Sequence, residues 1–328
     1  IKECDWSSDV CSSDLMLRKI LLLFMTMALP LLVIADEAKL PAYATTIRSL
    51  AIEGNGRLWV AAFGRGLWQI DAAGPRRFEK DGLPFPMINN LMMSGGKLYI
   101  ATAGGGCLRL DTESLEFEPL QQAAGFEKLH ALMQTSDGRV FIGSVGSGTA
   151  VLQGNVWQPM KSNESSQLAW VNSIVEWQNQ LWLGTATGLY RNVASGTWRP
   201  QAAELRRAVN CLLVHNGILY AGTTDRGVFA IETDGYPQQV NGTLGPVHFL
   251  LAYGDELLAG GDLGFWRIKN IDATEIAVPF NDAKCAVVDA KKILYIGTAN
   301  GKIYKSDDAK NFIHTMSFTE NGLEEQKQ

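Results

Sequence analysis

The stretch KLYIATAGGGCLRLD, residues 97–111, contains two short apolar segments separated by a glycine-rich turn. Its first segment carries an aromatic residue, Tyr99, between aliphatic residues and ends in small residues. Apolar residues that alternate on both sides of a tight turn are typical of a β-hairpin, because glycine adopts the positive φ angles that such turns need. The stretch therefore predicts two antiparallel strands.

Six further stretches of the chain repeat this pattern. They are RLWVAAFGRGLWQID (57–71), RVFIGSVGSGTAVL (139–152), QLWLGTATGLYRN (180–192), ILYAGTTDRGVFAI (218–231), ELLAGGDLGFWRI (256–268) and ILYIGTANGKIYKSD (293–307). Their equivalent positions, which we call the anchor column, are Trp59, Tyr99, Phe141, Trp182, Tyr220, Leu258 and Tyr295.

The anchor column recurs every 37 to 42 residues. A period near 40 with a turn about every 8 to 12 residues describes a four-stranded β-meander, the blade of a propeller. Helical solenoids share this period but not the alternation, and the only plausible helical stretch is Ala202–Val209. We therefore predict an all-β fold: a single seven-bladed β-propeller of four-stranded antiparallel blades, which begin near residues 47, 88, 129, 171, 209, 247 and 283.

Each predicted blade has strands a to d, with the anchor residue on strand b. The turns between strands b and c carry the glycines, for which we expect positive φ and a structural role. The AGGG sequence at 103–106 joins two strands without a helix N-terminus, which argues against phosphate binding. Residues Lys39–Thr46 are expected to add a closing strand beside the last blade.

The first 35 residues are interpreted as two segments that precede the propeller. Residues 5–15, DWSSDVCSSDL, match one reading frame of a sequencing-adapter oligonucleotide, so residues 1–15 are set aside as an artefact. Residues 16–35 have the basic start, the short apolar run and the small-residue end of a signal peptide. The propeller is assigned to residues 36–328, and we expect a periplasmic or secreted protein. Contact with a membrane is expected only if the signal peptide stays uncleaved.

Composition excludes some functions. The net charge of −5 and the pI of about 5.5, without a lysine- and arginine-rich run, argue against nucleic-acid binding. Beyond residue 35 three cysteines remain, Cys107, Cys211 and Cys285, whose spacing is not that of a metal site. We interpret them as small buried apolar residues. No metal and no cofactor is expected.

The second unit, KDGLPFPMINNLMMSGGKLYIATAGGGCLRLD (80–111), resembles the two-component regulator propeller repeat. That repeat has an Asp-Gly-Leu-Pro entry, a Leu-Trp-Ile-Gly-Thr strand and a Gly-Gly-Leu-Tyr-Arg-Tyr-Asp strand; the first and fourth units match it too, and the sixth departs from it at Leu258. The resemblance implies a propeller of the periplasmic sensor portion of bacterial signalling proteins. It leaves open a stand-alone exported binding protein or a fragment of a longer one.

The second residue of every strand a is polar: Arg48, Asn89, His130, Asn172, Asn210, His248 and Lys284. Two positions later the residues are apolar. Because strand a lines the axis of a propeller, we expect the polar residues to form a ring at the mouth of the central channel. The ring, with two permanent cations and two histidines, suits a small anionic or carbohydrate ligand, for instance a carboxylate or a uronic acid. Alternatively, these side chains only cap the strand-a backbones and hydrate the channel.

Other readings stay open. A sugar-stacking rim is expected from residues on loops of the same face: Phe85, Phe126, Trp170, Arg65 and Arg226. A propeller lyase or hydrolase would use His130 or His248 with an acid, for which the candidates are Asp225, Asp262 and Asp282. A protein-protein interaction scaffold, with a protein partner in signalling, requires only the propeller face. We favour a non-catalytic, sensor-type binding protein and assign no catalytic residue.

Overall fold

The computed structural model describes residues 45–78, 86–164, 166–194, 196–233, 235–319 and 321–326. Within these ranges the chain forms seven antiparallel sheets, each built from one continuous stretch of sequence. The seven sheets form the ring of a seven-bladed β-propeller, which confirms the predicted fold. The adapter-derived segment (1–15), the signal peptide (16–35) and residues 36–44 lie outside the described residues.

Six blades have four strands each. Blade 1 has β1 (Ile47–Ile52), β2 (Leu58–Ala62), β3 (Gly66–Asp71) and β4 (Gly74–Arg77). Blade 2 has β5 (Ile88–Ser94), β6 (Lys97–Thr102), β7 (Cys107–Asp111) and β8 (Phe117–Glu118). Blade 3 has β9 (Leu129–Gln134), β10 (Val140–Ser144), β11 (Thr149–Gln153) and β12 (Val156–Pro159).

Blade 4 has β13 (Val171–Trp177), β14 (Gln180–Thr185), β15 (Gly188–Ala194) and β16 (Thr197–Pro200). Blade 5 has β17 (Val209–His215), β18 (Ile218–Thr223), β19 (Val228–Ile231) and β20 (Pro237–Gln239). Blade 6 has β21 (Val247–Tyr253), β22 (Glu256–Gly261), β23 (Phe265–Lys269) and β24 (Asp272–Glu275). The stretch at Ala202–Val209, considered for a helix, contains a short 3₁₀ turn at Ala203–Leu205.

Blade 7 has five strands: β25 (Ala283–Val288), β26 (Leu294–Thr298), β27 (Lys302–Ser306), β28 (Ile313–Thr319) and β29 (Gly322–Glu325). The additional strand β29 comes from the C-terminal side of the chain, whereas we expected a closing strand from Lys39–Thr46. Thr45 and Thr46 are not part of a strand, and residues 39–44 lie outside the described part of the chain. β29 pairs antiparallel with β28, with Thr319 opposite Gly322.

Tight turns account for most of the glycines that we expected between strands b and c. Gly66, Gly148 and Gly227 have φ of +76°, +74° and +71°, a region that side chains with a Cβ avoid. Gly264, by contrast, does not adopt a positive φ. There a Cβ would instead lie 2.6 Å from the Trp266 ring, so close packing explains this glycine.

The core lies between neighbouring blades, where sheets pack face to face. Small residues occur on strand b where the blades approach most closely: Ala61, Ala101, Gly143, Gly184, Gly222, Gly260 and Gly297. At Gly184, for example, a Cβ would lie 2.8 Å from a methyl group of Val209 in the next blade. The seven contacts between blades therefore need a small residue at this position.

Among the described residues, an apolar cluster joins the first and last blades, and no strand is shared between them. Ile47, Leu58 and Val60 of blade 1 pack with Ile303 and Phe318 of blade 7, and all of them are buried. The rings of Trp68 and Phe318 meet edge to face with centroids 5.4 Å apart. In the described residues, no helix has the length and apolar character needed to span a membrane.

Candidate functional site

Strand a of every blade contains a β-bulge at its second residue. In blade 1, Ile47 pairs with Ala62 and Ser49 with Ala61, so Arg48 is left without a partner on strand b. The same one-residue register shift occurs in the other six blades. A bulge bends the strand and redirects the side chain of the extra residue. The bulged residues, which we call the bulge ring, are Arg48, Asn89, His130, Asn172, Asn210, His248 and Lys284.

All seven residues of the bulge ring line one cavity of about 650 Å³. Three residues from the apolar positions two places further along strand a, Leu50, Leu250 and Ala286, line it too. The structure therefore brings together every residue that we assigned to the mouth of the channel. Whether a ligand binds there is a separate question, because a ring of this kind also has a structural use.

The three asparagines of the bulge ring bond to the backbone of the next blade. Asn89 Nδ2 donates to the carbonyl of Leu129 at 2.8 Å, Asn172 Nδ2 to that of Val209 at 3.0 Å, and Asn210 Nδ2 to that of Val247 at 3.1 Å. Each acceptor is the carbonyl of the first residue of strand a in the following blade, so these amides connect neighbouring blades at the channel. For the asparagines, the structural role considered above is therefore present.

Arg48 differs from the asparagines because its side chain is exposed. Its guanidinium carbon lies 5.1 Å from the centre of the Phe63 ring. Among the described residues, no carboxylate lies within ion-pair distance of Arg48, although the side chain lines the cavity. A guanidinium in this position retains its donors for a planar, negatively charged group.

His130 lies close enough to Arg48 to feel its charge. Burial lowers the pKa of His130 below its usual value, and the charge of Arg48 lowers it further. The imidazole also meets the ring of Trp170 edge to face, with centroids 6.0 Å apart. Trp170 is 47% exposed, so its ring offers an aromatic surface beside His130.

An ion-pair cluster occupies the part of the mouth formed by blades 6 and 7, next to blade 1, which carries Arg48. Asp262 Oδ1 lies 2.5 Å from His248 Nε2 and 2.7 Å from Lys284 Nζ, and these two nitrogens are 2.8 Å apart. Asp282 Oδ1 is a further acid, 3.8 Å from Lys284 Nζ. Burial would raise the pKa of Asp262, but hydrogen bonds from Lys284 and His248 outweigh it and hold this pKa well below its usual range.

This cluster changes the expected charge of the ring. The sequence suggested two available cations, but Lys284 is neutralised by Asp262 and faces Asp282 as well. His248 Nε2 can either donate a hydrogen bond to Asp262 or accept one from Lys284, depending on the tautomer of the ring. Arg48 is consequently the cation of the bulge ring that has no acidic partner among the described residues.

The expected aromatic rim is only partly present. Phe126 is 2% exposed and packs in the core between blades 2 and 3, because burying a phenyl ring is favourable; its assignment to the rim is wrong. Phe85 lies outside the described residues. Arg226 stacks on Phe229 and donates to Gln239, and Asp225 pairs with Arg207, not with a histidine.

Some residues at the cavity were not foreseen. Ser49 and Asn90 line it beside their bulged neighbours, and Ser49 Oγ accepts a hydrogen bond from the Leu91 amide at 3.0 Å. Simple alternation would have turned these third residues of strand a away from the channel. No signal in the sequence marks the bulge, so they were missed.

The three cysteines are free thiols. Cys107 and Cys285 are buried, and burial raises the pKa of each to about 12. Cys211 is partly buried and lines the cavity together with Cys285. In the described part of the chain, no group of three or more His, Cys, Asp and Glu residues is arranged to hold a metal ion.

Comparison of the fold finds similar propellers among solved structures. The extracellular domain of a putative hybrid two-component system from B. thetaiotaomicron matches with a TM-score of 0.66 and 20% identity, over 81% of this chain and 39% of that one. The present chain thus spans well under half of that domain. Virginiamycin B lyase from Staphylococcus aureus matches with a TM-score of 0.68 and 12% identity, over 80% of this chain and 94% of that one.

A streptogramin B lyase also matches, with a TM-score of 0.68 and 14% identity, over 84% of this chain and 95% of that one. At these identities the similarity concerns the fold alone. No protein-family model matches the chain, and no curated protein sequence matches it. The comparisons therefore show the propeller fold, and no family model adds to the repeat-family resemblance seen in the sequence.

Proposed function

We propose that this chain is the ligand-binding propeller of an exported, sensor-type protein, and that it binds a small anionic ligand, such as a carboxylate or an acidic saccharide, at the bulge ring. The observation that carries the proposal is Arg48: an exposed guanidinium on a cavity of about 650 Å³, without an acidic partner among the described residues. An arginine binds a carboxylate through two parallel hydrogen bonds, which gives orientation as well as affinity.

The surroundings of Arg48 support an anionic ligand with a polar body. The cavity volume falls in the usual range for small-molecule sites, about 300–1,000 Å³. His130 adds a second nitrogen donor beside Arg48, and the exposed ring of Trp170 offers a stacking surface. On blades 6 and 7, Asp262 and Lys284 can exchange hydrogen bonds with hydroxyl groups.

Two observations support a sensor-type, exported protein. The extracellular domain of a putative hybrid two-component system has a similar fold. The segment at residues 16–35 has the basic start and apolar run of a signal peptide. A channel-mouth site on such a propeller would report the presence of the ligand without converting it.

We expect Arg48→Gln to weaken the binding of an anionic ligand about tenfold or more, because a hydrogen-bonded charge pair is lost while the fold is kept. Binding is measured by calorimetry and thermal shift with pairs of acidic and neutral saccharides and organic acids, beginning with D-galacturonate and D-galactose. Arg199→Gln is the matched control, since Arg199 is exposed on the outer strand β16, away from the cavity. The proposal fails if acidic compounds bind no better than their neutral counterparts, or if Arg48→Gln leaves their binding unchanged.

A second prediction concerns pH. Free His130 has a lowered pKa and is neutral at pH 7, whereas a bound anion beside it would raise this pKa. The complex then holds more protons than the free protein, so affinity increases as the pH falls, roughly threefold between pH 7.5 and 5.5. Calorimetry across this range checks the increase, and His130→Gln should abolish it. An affinity that does not change with pH in the wild type would contradict a contact between His130 and the ligand.

A second candidate function, a lyase or hydrolase, is favoured by the cluster of His248, Asp262 and Lys284. Their three polar atoms lie within 2.5–2.8 Å of each other, which suits the transfer of a proton to or from a bound substrate. Lyases are among the proteins of similar fold. Asp262→Asn separates the two functions, as discussed below.

A further inference from the structure

The junction between blades 7 and 1 contains a second cavity, which we call the seam cavity. It has a volume of about 590 Å³ and lies far from the bulge ring, at the turns that join strands a to b and c to d. Its apolar lining includes Leu58 and Ile70 of blade 1 and Ile303 and Met316 of blade 7. Asp71 and Ala72, at the turn between β3 and β4, form part of the opposite wall.

Equivalent positions in two other blades show how a side chain can bridge neighbouring blades. The strand-c residue opposite the anchor residue is basic in four blades: Arg109 in blade 2, Arg191 in blade 4, Arg267 in blade 6 and Lys305 in blade 7. Arg191 stacks on its own anchor residue, Trp182. Arg109 crosses to the next blade and donates to Asn155 Oδ1 at 2.7 Å. Arg267 crosses in the same way and donates to the carbonyl of Asp308 at 3.1 Å. Both acceptors belong to the turn between strands c and d of the following blade.

The anchor residue makes a similar bridge in blade 5. Tyr220 donates its hydroxyl to the carbonyl of Asn270, at 3.2 Å, in the turn between β23 and β24 of blade 6. In blade 7 the anchor residue is Tyr295, and its partner across the ladder is Lys305. These two residues occupy the bridging positions at the seam.

At the seam neither residue makes the bridge. The Lys305 ammonium lies 5.9 Å from the centre of the Tyr295 ring, and within the described residues neither side chain hydrogen-bonds to the turn that follows β3. Both side chains line the seam cavity instead. At other junctions the equivalent donors have backbone or amide acceptors. Lys305 and Tyr295 instead face an open volume with an apolar wall.

Lys305 is the cation of the lining that has no carboxylate within ion-pair distance among the described residues. Arg57 is paired with Glu53, and Asp71 is paired with Arg76, so both are already neutralised. Glu325 lies on β29, the outermost strand of blade 7, whereas Lys305 lies on β27, closer to the axis. Lys305 and the Tyr295 hydroxyl are thus the donors that a carboxylate would meet beside the apolar residues.

We propose that the seam cavity binds a small organic carboxylate with an apolar body, such as an aryl or branched-chain acid. The carboxylate accepts hydrogen bonds from Lys305 and Tyr295 and takes the place of the acceptor that other junctions supply. The apolar body packs between Leu58 and Ile70 on one side and Ile303 and Met316 on the other. Such a ligand would connect the first and last blades, and its site is independent of the bulge ring.

The test uses 3-phenylpropionate and its neutral amide, 3-phenylpropanamide, with methyl-labelled protein observed by NMR. We expect saturable shifts of the Ile303 and Met316 methyl groups and about tenfold tighter binding of the acid than of the amide. Lys305→Met should remove this preference, and Tyr295→Phe should reduce it. Lys302→Met is the matched control, because Lys302 is on the same strand but does not line the cavity.

Three results would overturn the proposal. The first is the absence of saturable shifts at the two methyl groups, and the second is equal affinity for acid and amide in the wild type. The third is loss of binding in Arg48→Gln, which would place the probe at the bulge ring. Because Lys305 is exposed, Lys305→Met is expected to fold, and an unchanged thermal unfolding midpoint checks this.

Discussion

Gly297→Val is expected to lower the free energy of unfolding by about 3 kcal/mol, because overfilling a packed core forces side chains and backbone apart. A Cβ at this position would lie 2.6 Å from Ile47 Cγ2 in blade 1 and 2.7 Å from Cys285 Sγ in the same sheet. Ile47 is fully buried, so it has no free space into which to move. The added methyl groups would therefore separate the first and last blades at the point where the ring closes.

Urea unfolding followed by tryptophan fluorescence measures this change. Gly54→Val is the matched control, because a Cβ at Gly54 meets no atom within 4 Å and this glycine does not have a positive φ. We expect the control to change the free energy by less than about 0.5 kcal/mol. Similar unfolding midpoints for the two variants would show that blades 7 and 1 do not pack as closely as described here.

Asp262→Asn is expected to tighten the binding of an anionic ligand about tenfold, in the direction opposite to Arg48→Gln. Asp262 now neutralises Lys284, at 2.7 Å, and holds His248 at 2.5 Å. The amide keeps the shape of the side chain and removes its charge, so the Lys284 ammonium becomes available to the ligand. The mouth then carries two accessible cations in place of one.

The same substitution has the opposite consequence for an enzyme. If Asp262 holds or moves a proton during turnover, Asp262→Asn lowers the turnover of any substrate about 100-fold or more. Asp225→Asn is the control, because Asp225 lies on the corresponding turn of blade 5 and pairs with Arg207. Weaker anion binding in Asp262→Asn, with unchanged binding in the control, would contradict the role that we give to Lys284.

The architecture was predictable because repetition makes a weak local signal strong. One aromatic strand with a glycine turn is ambiguous, but seven copies spaced by 37 to 42 residues leave the four-stranded blade as the common solution. The strand-a column was found for the same reason, since all seven second positions are polar. Leu258 in blade 6 shows the limit of this approach, because there the spacing and not the residue type identified the anchor.

Details without a periodic signal were not predicted. Phe126 looked like a rim aromatic because its loop is near the mouth, yet burying a phenyl ring is favourable and the ring lies in the core. The fifth strand of blade 7, β29, was not foreseen, whereas the closing strand expected from Lys39–Thr46 lies mostly outside the described residues. Both depend on which surfaces remain open after the blades pack, and the sequence does not encode that in a local pattern.

The sequence by itself determined seven four-stranded blades, their starting points and the polar residues of strand a, because each follows from turn chemistry and alternation repeated along the chain. Only the tertiary structure decided which of those residues have partners. Asp262 is on a different strand pair from Lys284, and the packing of blade 6 against blade 7 brings them to 2.7 Å. The same is true of Lys305, whose open environment depends on how blade 7 meets blade 1. Charge pairing and cavities arise between blades, where residues distant in sequence meet.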